Sequence, residues 1–210
     1  MIPFVRSWRN EQYKDMGAFA QLGGALLEVE AVARLAQGKG LRVAKYTGTE
    51  ALIERYMALS GAGSPGILHI ATHGFYLPAS KSRRNDRLLM TGNDMAASTD
   101  NPLRRSGLAF AGAEHTRCGK LIPAGVSGDG FLTAANAAHV PLINTRLVVL
   151  AACKTALGDL STGEGVYGLQ RAFKAAGAEY LLLSLWNVQD KETGEFMELF
   201  YTRLFAGRDI

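Results

Sequence analysis

The chain has 210 residues, 48% of them hydrophobic and 20% charged, with a net charge of +4. This balance excludes a wholly disordered chain, a collagen-like chain and a coiled coil, and the length fits one domain with room for a long loop. The mild positive charge permits an acidic partner without requiring one. Its densest basic stretch, Lys81, Arg83, Arg84 and Arg87, reads first as a solvated loop, so direct nucleic-acid binding is not expected.

Two cysteines, Cys118 and Cys153, cannot build a disulfide framework, and neither sits in a CxxC. A reducing, cytoplasmic compartment is the expectation. The N-terminus lacks the apolar core of a signal peptide, and no apolar run approaches the roughly 20 residues of a membrane span. No membrane partner is expected.

In chain order, residues 1–21 carry no clear period. Leu26, Leu27, Val29, Val32, Ala33, Leu35 and Ala36 recur at helical spacing, and Gly38 stops the run. "LRVAKY" (41–46) predicts a short strand. Thr49 is placed to cap a helix reaching Leu59. Turn chemistry fills 60–66, and "ILHIA" (67–71) predicts a buried strand. Residues 75–128 form a polar excursion, with apolar pieces at 88–90 and 108–111 that suggest a hairpin or edge strand. "DGFLTAANAAHV" (129–140) reads as a turn and a short helix. "RLVVLAA" (146–152) is the strongest strand signal, followed by a Gly-rich loop at 158–165. "EGVYGLQRAFKAAG" is an amphipathic helix with Val166, Leu169, Phe173 and Ala176 on one face and Gly177 as its stop. "EYLLLSLW" (179–186) predicts a third buried strand, and 191–205 a final helix. Continuous apolar strands alternating with helices indicate an α/β domain whose parallel sheet is covered on both faces.

Sites in such sheets lie beyond the carboxyl ends of the strands. "ILHIA" is followed by Thr72, His73 and Gly74. "RLVVLAA" is followed by Cys153, Lys154 and Thr155. "EYLLLSLW" leads to Asn187, Val188, Gln189 and Asp190. A histidine, a cysteine and an acid thus leave one sheet edge, which is what a thiol hydrolase needs. The thiolate must be accessible, and an imidazole must hold it ionised and protonate the leaving group. The Gly74 N–H is an available oxyanion donor. The plainer reading is that a strand-end cysteine is core. His69, in the same strand as His73, reads as a satisfied core histidine. Cys118 has no apolar surroundings, and His115 and His139 have no evident partner. No cluster has metal-ligand spacing, so neither metal nor cofactor is expected.

"GEGVYG" (163–168) fits the glycine pattern of a dinucleotide loop, with Asp190 downstream. Its first glycine lies too far beyond Ala152 for a tight strand-to-helix turn, and Glu164 would face the pyrophosphate. Close packing of a helix on the sheet explains these glycines better than a nucleotide-binding enzyme does.

The segments "ILHIATHGFY", "NPLRRSGLAFAGA", "DGFLTAANAAHVPLINTRLVVLAACKTALGD", "GEGVYGLQRAFKAAGAEYLLLSLWNVQD" and "FMELFYTRLFAG" resemble, in order, the CHAT domain. This is the caspase-like module often found after tetratricopeptide repeats. "LGGALLEVEAVARL" resembles the helix that opens it. The resemblance implies a caspase-like three-layer α/β/α fold with a mostly parallel central sheet. It places the domain at 22–210, with 1–21 as an extension or a remnant of a preceding region. It also implies a cysteine endopeptidase whose dyad is His73, in "ATHG", and Cys153, in "LAACKT". The N–H groups of Gly74 and Cys153 would hold the oxyanion. "SLWNVQD" resembles the separase segment lining the first substrate pocket. That places Asp190 at its base, favouring Arg or Lys before the cut, and Trp186 in its wall. Asp129 is an alternative pocket residue, and a helix N-cap is the alternative role for Asp190. Family members usually continue with another helix, so a C-terminal truncation is expected. The implied partners are a protein substrate and a tetratricopeptide-repeat region or regulatory protein. A catalytically silent scaffold is the alternative function.

Overall fold

Along residues 147–151 alternate side chains bury in opposite directions. Leu147, Val149 and Ala151 join one core cluster, while Val148 and Leu150 join another. A strand with both faces apolar must be covered on both. The computed structural model describes residues 13, 16–77, 101–151, 164–184 and 190–207, without the side chains of 164–166, 190 and 191.

The described elements are α1 (Gly23–Gly38), α2 (Ile53–Met57), β1 (Ile67–Ala71), β2 (Gly74–Tyr76), α3 (Pro102–Arg105), β3 (Ser106–Ala109), α4 (Ala113–Arg117), β4 (Phe131–Thr133), α5 (Ala134–Ala138), β5 (Leu147–Ala151), α6 (Glu164–Ala175), β6 (Tyr180–Leu183) and α7 (Asp190–Phe205). They form two sheets. The first is parallel, in the order β1-β5-β6, with Ile67 opposite Leu147, Ala71 opposite Ala151 and Leu150 opposite Leu183. β5 is buried throughout. β1 and β6 are only half-buried, because each is an edge among the described strands. The second sheet is antiparallel, in the order β2-β3-β4.

Helices α1 and α7 pack on one face of the parallel sheet, where Met197 and Tyr201 meet Leu147 and Val149. On the other face Leu169 and Phe173 of α6 and Ala137 of α5 meet Val148 and Leu150. Each fully buried side chain of this size contributes about 1.5–3 kcal/mol. Of the face read for α6, Leu169, Phe173 and Ala176 are buried, and the Val166 side chain lies outside the described residues. Gly177, at φ +107°, ends the helix by donating to the Lys174 carbonyl.

One buried polar cluster ties α1, β1 and α7 together. His69 Nδ1 lies 3.0 Å from the Tyr201 hydroxyl, and its Nε2 lies 3.0 Å from Glu28 Oε1. The Glu28 contact is close but poorly aligned for a hydrogen bond. With the Nε2 proton facing Glu28 Oε1, Nδ1 accepts the tyrosine O–H. Burial first, then the Glu28 charge, pushes the Tyr201 hydroxyl well above its usual range, which keeps that proton in place. His69 is therefore a largely buried histidine satisfied at Nδ1 only, short of the fully satisfied one expected from the sequence, because the Glu28 carboxyl is near Nε2 but off its N–H axis.

Three local expectations fail. Residues 41–46 form no strand: Leu41 and Tyr46 are 47% and 43% exposed, so the alternation there has no buried face to align it. Thr49 caps no helix. Gly48–Glu50 is a single 3-10 turn, Leu52 is extended, and α2 begins only at Ile53. "FLT" in the presumed turn is strand β4, after which the Thr133 hydroxyl accepts from Asn136 N at 3.1 Å and caps α5. A three-residue strand is too short for its period to show in sequence. The polar excursion does supply an antiparallel pair, β2 with β3; its apolar piece at 88–90 lies outside the described residues.

Candidate active site

β1 ends at Ala71, and the next two residues are fixed by the second sheet. The Thr72 hydroxyl donates to the Ala109 carbonyl, and Ala109 N donates to the His73 carbonyl at 2.8 Å. The His73 backbone is thus clamped where β1 passes into β2, with its side chain half-buried. That same bond brackets Gly74 and Leu108 as a non-hydrogen-bonded pair, so the Gly74 N–H points away from β3.

Ala71 and Ala151 are partners on adjacent parallel strands. His73 is two residues past the first and Cys153 two past the second. Neighbouring strands lie about 4.8 Å apart. Cys153 itself, Trp186, the Asp190 side chain and the Gly-rich loop at 158–163 lie outside the described residues. Asp190 is the first residue of α7 rather than the residue before it. Asp129 Oδ1 accepts from Phe131 N at 3.0 Å, so it shapes the turn into β4.

Residues 16–20 also lie against His73, which their lack of period concealed. His73 Nε2 is 2.6 Å from the Ala20 carbonyl oxygen, and the Phe19 ring packs on the imidazole, 5.4 Å between centroids. A carbonyl oxygen only accepts, so this nitrogen is held as a donor. The segment is pinned by an Arg117–Glu114 fork on α4, with Nε to Oε2 at 2.8 Å and Nη2 to Oε1 at 2.6 Å. Glu114 Oε2 also accepts from Phe19 N at 3.0 Å, and Arg117 Nη1 donates to the Met16 carbonyl at 3.2 Å. Arg117 holds the Glu114 carboxyl far below its usual range, at about 2. Beneath lies an aromatic floor, in which Tyr13 stacks on Phe131 at 3.9 Å and Phe131 meets Phe75 edge-on at 5.3 Å. Sequence offered one signal, a Glu and an Arg three residues apart on a short helix.

Cys118 is exposed, with Sγ 3.3 Å from Glu114 Oε1 and 3.2 Å from Arg117 Nη2. His139 Nδ1 lies 2.6 Å from the Ala135 carbonyl at the end of α5. Of the glycines in 163–168, Gly168 has a packing reason: a Cβ there would strike the Ser106 hydroxyl, so this glycine lets α6 approach β3. A groove of about 460 Å³ between α1 and α7 involves Glu28, Glu30, Glu195 and Glu198 and none of the residues read as a site. Among the described residues, no three His, Cys, Asp or Glu side chains converge as metal ligands. Nor is any described helix long and apolar enough to cross a membrane.

A parallel sheet with helices on both faces and a clamped histidine at its carboxyl edge defines an α/β domain with its candidate site at the strand ends. The chain belongs to the CHAT domain family, whose model matches residues 7–210. CHAT domains are caspase-like, peptidase-related modules. The chain is also 40% identical over 77 residues to tetratricopeptide repeat protein 28 of Mus musculus, and equally to that of Homo sapiens. The match covers 37% of this chain and only 3% of either relative. No solved structure matches.

Proposed function

We infer that the domain is a caspase-like cysteine endopeptidase, with the three-layer α/β/α arrangement of that class, acting through His73 and Cys153. The observation that carries this reading is the equal offset of the two residues from the register partners Ala71 and Ala151. Family membership supports it. In the reaction, the Cys153 thiolate attacks the peptide carbonyl carbon, and the tetrahedral oxyanion is held by the N–H groups of Gly74 and Cys153. Collapse breaks the C–N bond as His73 protonates the departing amine. Water then releases the acyl group and restores the thiol. Asp190, Trp186 and Asp129 are the pocket residues of this reading, with Arg or Lys preferred before the cut. Its protein partners are the substrate and a tetratricopeptide-repeat region or regulatory protein, in keeping with the name of the matched relatives. A reducing cytoplasmic location suits a free catalytic thiol.

The test is the rate of iodoacetamide labelling at Cys153 against pH, in the wild type and in His73→Ala, together with cleavage of a peptide library. Fast labelling well below the ordinary thiol pKa of about 8.5, lost in His73→Ala, is expected. Cleavage is expected to vanish in Cys153→Ala with the melting temperature unchanged. Equal cleavage by Cys153→Ala refutes the reading. One observation favours a second reading, a silent scaffold: the Ala20 carbonyl occupies His73 Nε2. Ordinary thiol behaviour of Cys153 in every variant that frees His73 selects it.

A further inference from the structure

We propose that the surface formed by His73, Phe131 and the Glu114–Arg117 fork is a peptide-binding groove, filled in this structure by the chain's own residues 16–20, which cover the candidate catalytic histidine. The inference deepens the His73–Cys153 reading and rests on it for the consequence to the thiol.

The contacts are those of a peptide site. Three main-chain groups of the segment are met by side chains: the Met16 carbonyl by Arg117, the Phe19 N–H by Glu114 and the Ala20 carbonyl by His73. None of these reads the identity of a side chain. Arg117 and Glu114 hold each other in a two-bond fork, so the donor and acceptor are fixed before the peptide arrives. Selectivity comes from Phe19, whose ring lies against both His73 and Phe131, at 5.4 and 5.9 Å. The groove therefore suits a non-helical peptide with an aromatic residue just before the residue whose carbonyl meets the imidazole.

The occupant is pinned at three main-chain groups, but little of its surface is covered. Phe19 is half-buried, and Gly17, Ala18 and Ala20 are exposed. A competing peptide displaces such a segment by mass action, and the segment slows substrate entry until it is displaced. The basic preference read from the sequence concerns the residue before the cut. The aromatic preference read here concerns the groove.

The test uses the full chain carrying Phe19→Ala or Glu114→Ala. His73 is followed by NMR of its ring, and Cys153 by iodoacetamide labelling. The probe is the synthetic peptide of residues 13–22, YKDMGAFAQL, with a control in which its phenylalanine is alanine. Both variants are expected to shift the His73 ring signals and speed exchange of its Nε2 proton. Losing a half-buried aromatic weakens the contact about tenfold, and Cys153 labelling rises by a similar factor. In Phe19→Ala, which keeps every groove residue, excess peptide reverses both effects and the control peptide does not; in Glu114→Ala, which lacks the acceptor for the phenylalanine N–H, the peptide reverses neither. Ring signals identical in the wild type and both variants overturn the proposal, as does failure of the peptide to reverse the change in Phe19→Ala. If His73 and the peptide respond but Cys153 behaves as an ordinary thiol throughout, the groove stands and the peptidase reading falls.

Discussion

Replacing Tyr201 with phenylalanine isolates one bond in the cluster joining α1, β1 and α7. The Tyr201 ring is fully buried and packs against Phe200, Phe205 and His69 at 5.2, 5.5 and 5.6 Å, contacts that phenylalanine keeps. Only the hydroxyl is lost, 3.0 Å from His69 Nδ1. The imidazole side chain is 10% exposed, so water cannot readily replace that donor. An acceptor stranded this way costs about 1–3 kcal/mol. For a chain of this size, about 2 kcal/mol lowers the melting temperature by about 4–8 °C. The assay is thermal and urea unfolding followed by circular dichroism, with Tyr201→Phe made in the wild type and in His69→Phe. In the second background no acceptor nitrogen remains, and the change is expected to cost under about 0.5 kcal/mol. A neutral Tyr201→Phe in the wild type, or an equal cost in both backgrounds, would falsify the proton arrangement assigned to the cluster.

Gly130→Ala tests the entry to β4. Its φ is +78°, and a Cβ would collide with the Ala113 backbone nitrogen. The left-handed strain and the backbone clash together cost about 3 kcal/mol or more, seen as a lower urea midpoint; an unchanged midpoint argues against this geometry. Phe173→Ala empties a fully buried position between α6 and the sheet, with an expected loss of about 3–5 kcal/mol in the same assay. The Glu114 pair gives a pH dependence. Its carboxyl titrates at about 2 when folded, below its unfolded value, so its contribution is complete above about pH 4.5. It is lost as pH falls through 2. The Glu114 side chain is 37% exposed, which limits that contribution to the range of a surface pair, about 0–1 kcal/mol. The Phe19 amide shift, read by NMR, should titrate with a midpoint near 2. A midpoint at an ordinary carboxylate pKa of about 4.3 refutes the Arg117 contact.

Much of this protein was legible in its sequence, for reasons of period and length. Residues 67–71, 147–151 and 180–183 are short apolar runs, and the helices after the last two have polar and apolar faces, so a covered parallel sheet was the economical solution. The placement of His73 at a strand end followed from the same runs, as did the Gly177 stop. Weakly patterned segments misled. The alternation at 41–46 looks strand-like, but a strand also needs a ladder and a face to hide, and neither is local information. β4 was missed because three residues carry no readable period.

The site divides the same way. Sequence put His73 and Cys153 at the ends of two strands. Only the sheet order made those strands neighbours and set Ala71 against Ala151. The clamp on His73 depends on a hydroxyl and an amide nearly 40 residues apart in the chain. The cover on its Nε2 depends on Ala20, with Glu114 and Arg117 pinning the segment from α4. Hydrophobic period is written into each stretch of chain separately. Main-chain contacts between distant stretches carry no residue signature, so tertiary structure alone decided what covers the histidine.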